Sequence, residues 1–556
     1  MRNRFLYLLF LSGIVLAMSC NKAGKTGLLV PKDAAVVIHI NMKSLSSKLT
    51  FDEIKQTSWY RKLNEEAHDT LAQKIINDPD ASGVDTKSDF AFFLKRQGYG
   101  GYASLQGAIK DANAFAAFVK EASKGKAEIQ KSGDLNYAST HDKGLLTWTS
   151  SKFVFIGDSP MQGMSGMGGM GGGNAGSVTH FSNDSLLLFA KGIYALSGED
   201  LLDDNSKFTD LIASEGDLHF WVSTDNIYKG MANGMMNMMK LSALTEDNIG
   251  TATLNFDNGK ITMTGKQYYG KELTKIIDKF PPVNVSKDLI NRLPSGDVIG
   301  ALAFNYPSEG WVEIMKLIGA DGLANMFLGQ KGITLDDFSK ALKGEMAFAV
   351  TDIQQRPQTS EYENGDGTKS TYTTTKTDPN FVFALAIKDK PSFDKLFGLV
   401  NEEMMKNGPP PGIVIKNEKD WLVVSNNDAN AASFLTGNNK PAYADKLSGH
   451  GFGGYLNIQK LITTFKNEIV REDSSAIAAM DLSMKTWQDG VTWGDYKSGA
   501  ATFVIEVNFV DKTTNSLKQL NRYADQMTAL HDEYEKKQAS QYPVTDTLTG
   551  APVPNK

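Results

Sequence analysis

One strand entry occurs twice in this chain. Pro31-Lys32-Asp33-Ala34-Ala35-Val36-Val37-Ile38-His39-Ile40-Asn41 returns as Pro294-Ser295-Gly296-Asp297-Val298-Ile299-Gly300-Ala301-Leu302-Ala303-Phe304-Asn305. Each copy opens on a proline turn, passes an Asp, runs through an apolar strand and closes on Asn. In the first copy Val36, Ile38, Ile40 and Met42 alternate with Val37, His39 and Asn41, the period of a strand. A segment that recurs this way restricts the fold to one unit used twice.

Further matches follow in the same order. Asp89-Phe90-Ala91-Phe92 corresponds to Glu345-Met346-Ala347-Phe348, and Ala108-Ile109-Lys110-Asp111 to Ala386-Ile387-Lys388-Asp389, each followed by Phe115 or Phe393 four positions on. Phe153-Val154-Phe155-Ile156 matches Trp421-Leu422-Val423-Val424, and Leu218-His219-Phe220-Trp221-Val222 matches Gly453-Gly454-Tyr455-Leu456 loosely. Strands are predicted at 251–269 and 480–509, followed by helices at 271–280 and 514–538. Helical periodicity also marks 51–76, and Phe115, Phe118 and Val119 form an i, i+3, i+4 stripe. Ser44–Leu49 reads as a turn. The expected fold is α+β: two homologous halves from internal duplication, with antiparallel-rich sheets and packed helices. The halves are residues 30–281 and 282–540, parted at Pro281-Pro282. Gln354 to Pro379 is polar and Thr-rich and reads as an extended hairpin or loop. Met161 to Gly176 is Met/Gly low complexity, and 541–556 reads as a disordered tail.

The 556 residues suffice for several domains. Fifty-eight basic and 64 acidic residues leave a net charge of −6, with both signs interspersed. That argues against nucleic acid or an anionic membrane surface as the main partner, since either favours a basic face. The single cysteine is Cys20. Met1-Arg2-Asn3-Arg4 is a positive n-region, and Phe5 to Leu16 is an apolar stretch short for a membrane span. Ala17-Met18-Ser19-Cys20 resembles a bacterial lipobox. That resemblance implies cleavage after residue 19, diacylation (palmitate-type) of the Cys20 thiol and a lipid tether over 20–29. Several acyl chains anchor stably. No other thiol remains for a disulfide, so stability must come from core packing.

The lipobox, the Pro-Lys-Asp-Ala strand, Ser44-Leu45-Ser46-Ser47-Lys48-Leu49 and Ala108-Ile109-Lys110-Asp111 together resemble the Bacteroidetes lipoprotein family known as domain of unknown function 4836. The resemblance runs through nearly the whole mature chain and brings no activity, substrate or catalytic residue with it. Surface-sent lipoproteins of such bacteria carry acids after the cysteine. Asn21-Lys22-Ala23-Gly24-Lys25 has none, so an outer-membrane anchor facing the periplasm is expected.

Candidate chemistry is sparse. Gly157-Asp158-Ser159 after a strand resembles the nucleophile block of GDS esterases, but the Asp-x-x-His pair such enzymes need is absent. Ser425-Asn426-Asn427-Asp428 holds the matching place in the second half and reads as turn chemistry. Gly24-Lys25-Thr26 lacks the first glycine of a phosphate loop. Asp78, Asp80, Ser82, Gly83 and Asp89 have the spacing of a calcium loop, against which stand Pro79 and a following strand. A helix stop with a Gly turn is the preferred reading. Met161, Met164, Met167 and Met170, with Met231, Met235, Met236, Met238 and Met239, offer soft thioethers for Cu(I) or for oxidant scavenging. They also suit a flexible loop and an adaptable core helix. The histidines at 39, 68, 141, 180, 219, 450 and 531 lack zinc spacing. His39 matches Ala303 and His219 matches a glycine, so both read as structural.

The function expected from these residues is that of a lipid-anchored, non-enzymatic binding or interaction protein of the envelope. It would need no cofactor, and a groove between the halves would take an envelope protein or ligand. The alternatives are a Met-rich Cu(I) or oxidant-scavenging protein and a hydrolase whose site follows no linear motif.

Overall fold

The computed structural model describes residues 26–66, 77–122, 128–140, 144–159, 179–228, 240–296, 298–365, 367–407, 412–469 and 474–541. The signal segment, Cys20, the 161–176 loop, Met231–Met239, His68, His141, Asp297 and residues 542–556 lie outside them. By internal contact the chain divides into two units. The first takes Met1–Leu45, Ala67–Asn233 and Ile249–Thr253; the second takes Ser46–Glu66, Gly234–Asn248 and Leu254–Lys556.

In the first unit the strands are β1 (Val36–Ile40), β2 (Phe90–Gln97), β3 (Gly100–Ala108), β4 (Gln130–Ser132), β5 (Leu135–Thr140), β6 (Gly144–Trp148), β7 (Lys152–Asp158) and β8 (Leu218–Ser223). All pairings are antiparallel, in the order β4-β5-β6-β7-β3-β2-β1-β8. The helices Asn183–Ala195 and Ser206–Ala213 contribute Leu186, Ile193 and Phe208 to a core with Val37, Phe93, Ile156 and Trp221. The helix Ala112–Ala122 closes a second core, with Phe115 and Val119 against Trp148 and Phe153. Asp111 starts that helix by accepting the N–H groups of Asn113 and Ala114 at 2.9 and 3.0 Å.

β9 (Ile249–Asp257) runs along the chain from the first unit into the second. The second unit then contains β10 (Lys260–Tyr268), β11 (Gly300–Asn305), β12 (Leu342–Glu363), β13 (Lys369–Ile387), β14 (Val414–Glu418), β15 (Trp421–Ser425), β16 (Phe452–Asn457), β17 (Trp487–Lys497) and β18 (Ala500–Phe509). Its order is β14-β15-β13-β12-β11-β16-β17-β18-β10, again antiparallel. The run β6-β7-β3-β2-β1-β8 of the first unit therefore has the same order as β14-β15-β13-β12-β11-β16. The rungs agree too: Ala91 pairs with His39, and Ala347 pairs with Ala303. Asp389 caps Lys390–Asn407 through the Ser392 N–H at 2.9 Å, as Asp111 caps its own helix.

Several expectations shift. Pairing places Trp421 opposite Ala386 and Lys152 opposite Ala108. The Phe153–Ile156 match is therefore displaced by one residue, a slip that would turn every side chain to the other face. Residues 46–66 and 254–281 fall within the second unit. The physical reason is that β10 pairs along the length of β18, while Trp59 Nε1 donates to Asn521 and Lys62 to Asp532 on the helix Ser516–Gln541. Residues 42–48 form a helix rather than a turn, and 480–486 belong to the helix Ser474–Thr486 rather than to a strand. Within the expected tether, Thr26 bonds Asp203 and Leu29 exchanges two hydrogen bonds with the Gln106 side chain, so residues 26–29 are packed. The polar 354–379 segment is the far part of a long β12–β13 hairpin.

Candidate functional site

β1 buries its histidine face. Val37 and His39 are more deeply covered than Val36, Ile38 and Ile40, so the apolar alternation marks the less buried side. The register sets His39 directly opposite His219, and the ring nitrogens meet, Nδ1 to Nδ1, at 3.0 Å. His219 Nε2 donates to the Ser214 carbonyl at 3.0 Å, and His39 Nε2 meets Asp89 Oδ2 at 3.2 Å. A carbonyl only accepts, so His219 Nδ1 must accept from His39. Asp89, the carboxylate at the far end, completes the chain. Burial lowers the pKa of His219, with the nearby His39 adding to it, against the Ser214 hydrogen bond. The His39 hydrogen bond, opposed by burial, holds the Asp89 carboxyl below its ordinary range. Gly216 permits this close packing, since a Cβ there would stand 2.8 Å from His219 Nε2.

The calcium-type residues are not brought together. Asp80 accepts from Thr86 at 2.5 Å and pairs with Lys110 at 3.1 Å, whereas Asp89 is engaged by His39 and by the Met42 N–H at 3.1 Å. Residues 79–82 form a single 3-10 turn ended by Gly83 at φ 78°. Among the described residues no cluster of three or more His, Cys, Asp or Glu could hold a metal ion. Asp158 pairs with His180 Nδ1 at 2.6 Å and accepts the Phe181 N–H, while the Ser159 N–H donates to Gly101. This aspartate thus ties down the chain ahead of the Asn183–Ala195 helix. Ser425 bonds the Phe381 and Asn427 carbonyls, the expected turn chemistry. His450 meets Asp495 at 2.7 Å and His531 meets Glu535 one helical turn on.

The second unit holds an open, largely aromatic cleft of about 330 Å³. Its floor is the sheet: Phe304 on β11, Phe452 on β16, Tyr496 on β17 and Phe503 on β18. Its walls are Tyr269 and Ile277, from the start of the helix Lys271–Lys279 and within it, and Tyr306, Trp311 and Ile314, at and within the helix Ser308–Leu317. Gly494 helps keep the floor low, because a Cβ there would press on the Thr502 carbonyl at 3.0 Å. Tyr306 and Trp311 meet edge to face at 5.4 Å and 81°, and Tyr269 faces Tyr496 at 6.4 Å. The Tyr306 hydroxyl is buried without a hydrogen-bond partner. An orphan of this kind costs about 1–3 kcal/mol unless something meets it. Burial, with Tyr269 nearby, raises its pKa to about 12. Tyr269 is raised by burial, and Tyr496 by burial and by its hydrogen bond to Asp278 at 2.7 Å. All three stay neutral phenols at physiological pH. A larger groove of about 670 Å³ lies along the helices Ser474–Thr486 and Ser516–Gln541. Its walls mix Asp481, Lys485, Arg522 and Glu533, charges of both signs, with Leu482, Tyr523 and Leu530. The smaller cleft is the better ligand site.

Residues 27–165 match the family model "Domain of unknown function (DUF4836)". That stretch carries β1 to β7, with His39 and Asp89, and ends before His219 and the aromatic cleft. No curated protein matches the chain. Among solved structures, crystal forms IV, III and I of TP0453 align at 11, 11 and 8% identity, each with a TM-score of 0.24. The alignments cover 46, 47 and 43% of this chain and 87, 88 and 77% of theirs. A likeness of that size carries no argument about fold or activity. Among the described residues no helix is long and apolar enough to cross a membrane.

Sequence reasoning missed both sites. His39 and His219 lie 180 positions apart, so each reads singly in the sequence. The signal was present, however: a strand order carried over from one half to the other pairs the two strands that hold them.

Proposed function

We propose that this chain is a lipid-anchored Bacteroidetes-type envelope protein, held at the outer membrane through acylated Cys20, that binds a small ligand in the aromatic cleft without transforming it. The observation that carries the binding reading is the cleft itself, an open space of about 330 Å³ ringed by Tyr269, Phe304, Trp311, Tyr496 and Phe503. Concave, mostly apolar clefts with a few polar groups are where small ligands bind. The anchor rests on the lipobox and on Cys20 being the chain's lone thiol. We further infer that the two halves descend from one duplicated unit, a reading supported by their common strand order and rungs.

The test is to purify the full chain from native membranes and identify co-purifying small molecules by mass spectrometry. A stoichiometric compound, lost from Trp311→Ala, is expected. A wild-type protein that carries nothing, and that no small molecule stabilises in a melting screen, overturns the binding reading. Metabolic labelling with palmitate tests the anchor separately: label should vanish in Cys20→Ser, and label that persists overturns it.

A further inference from the structure

We propose that the aromatic cleft is one end of a site for a straight hydrocarbon chain, the acyl chain of a fatty acid or of a lipid. This inference rests on the cleft being a ligand site, and it names the class of the ligand.

The first ground is the sheet face on which the cleft stands. Cross-strand pairing sets Phe383, Phe348, Leu302, Gly454, Thr492 and Ile505 in one row over β13, β12, β11, β16, β17 and β18. The row beside it holds the cleft floor, Phe304, Phe452, Gly494 and Phe503. On the far side lies a third row with Val350, Gly300, Leu456, Gly490 and Val507. Side chains alternate across a sheet, so the three rows share one face. Thr492 brings the single polar side chain among them. The charged residues next along β17 and β18, Asp495 and Glu506, belong to the opposite face. The floor of the cleft therefore continues as an apolar surface.

Exposure supplies the second ground. The face of β11 and β12 that packs on helices is built of Ala301, Ala303, Ala347 and Ala349, all buried. The large side chains stand on the other face. There Leu302 is 46% exposed, Phe348 39%, Leu456 41% and Ile505 40%. An antiparallel sheet with one face in water ordinarily sets polar residues on that face. A contiguous apolar surface in their place marks an interaction site or a ligand groove.

The third ground is what such a surface can recognise. A folded protein partner makes about one hydrogen bond per 100–200 Å² of interface, and one threonine hydroxyl does not meet that demand. A hydrocarbon chain asks for no hydrogen bond at all. Length agrees as well. From Phe452 in the cleft floor to Leu456 in the third row is four residues of β16, about 14 Å at about 3.4 Å per residue. One acyl chain spans half of the roughly 30 Å hydrocarbon core of a bilayer, so a chain with its end among Tyr269, Trp311 and Tyr496 reaches the third row.

Calorimetric titration with octanoate, decanoate, dodecanoate and tetradecanoate tests this. The processed chain is used, with Cys20→Ser so that it carries no acyl group of its own. Each step of two CH₂ groups is expected to tighten binding about tenfold. Leu302→Ser and Ile505→Ser, beyond the cleft, should each weaken tetradecanoate about fivefold and leave octanoate within about twofold. Both side chains are exposed, so both variants should keep the wild-type melting temperature. Trp311→Ala, within the cleft, should weaken every member of the series. Mass spectrometry of an organic extract of the wild-type protein from native membranes identifies the source, free fatty acid or intact phospholipid. Affinity that does not rise with chain length, or tetradecanoate binding that both serine variants leave untouched, overturns the acyl inference. The cleft stays a ligand site in that case if Trp311→Ala abolishes the binding that remains. No binding of any chain, with no molecule co-purifying, overturns both.

Discussion

The two units build the same sheet centre from different side chains. Where β1 meets β8 the first unit sets His39 against His219; at the matching rung of β11 and β16 the second sets Ala303 against Gly453. Two imidazoles, hydrogen-bonded to each other and to Ser214 and Asp89, occupy the first position. At the second, the helix Ala444–Leu447 comes down until a Cβ on Gly453 would stand 2.8 Å from the Leu447 Cα and carbonyl oxygen. The acids beside these rungs diverge in the same way. Glu345 lies opposite Asn305, and Asp89 lies one residue beyond the Ile40–Phe90 rung. Asp89 meets a histidine, whereas Glu345 accepts the Ser286 N–H on one oxygen and has Lys343 3.8 Å from the other. One backbone frame thus fills its centre either with a polar pair or with a helix brought close over small residues.

The sharpest way to break this comparison is Gly453→Val. A branched side chain against the Leu447 backbone should cost about 3 kcal/mol or more, read as a lower urea midpoint. An unchanged midpoint would mean that the 444–447 helix is not seated on the strand. His39→Ala comes next. It removes the partner of Asp89 and leaves His219 Nδ1 without its donor, an expected loss of about 2–3 kcal/mol. Combining His39→Ala with His219→Gly copies the second unit's rung, and the pair should cost about 1 kcal/mol less than the two single changes summed. Strict additivity in the double-mutant cycle would show that the rings do not act as a unit.

The smallest effect is a slope with pH. Burial depresses the pKa of His219, so below the ordinary histidine range the unfolded chain binds the proton that the folded chain refuses. Stability should fall as pH drops through that window, and the lowered Asp89 carboxyl continues the fall at more acid pH. The groups facing His219 are His39, Asp89, Asp217 and the Ser214 carbonyl. Urea midpoints between about pH 7.5 and 5.5 should slope in wild type and flatten in the double variant.

What the sequence showed was local and periodic. The strand entries, the Asp111 and Asp389 caps and the order of the matches could be read because each lies within about a dozen consecutive residues. The cleft could not, because Tyr269, Phe304, Trp311, Tyr496 and Phe503 come from separate elements, and each alone reads as ordinary core. The Phe153–Trp421 match slipped by one because both strands are apolar throughout, and only hydrogen-bond pairing fixes which face is inward. His39 reads as structural in the sequence because its counterpart is Ala303. That substitution proved to be the difference between the units, not a sign that the position is idle.

The hairpin of β12 and β13 has a mechanical consequence. β11 and β15 flank it only as far as Val350 and Val382, and from Asp352–Asn380 to Glu363–Lys369 the two strands pair with each other. At about 3.4 Å per residue that ribbon reaches roughly 40 Å. A two-stranded ribbon gains little from its own rungs, so it behaves as a hinged lever whose outer end opens at small cost. The inner rungs, clamped between β11 and β15, hold its base. A single cut at the tip would sever the chain and still leave both fragments fastened in one sheet.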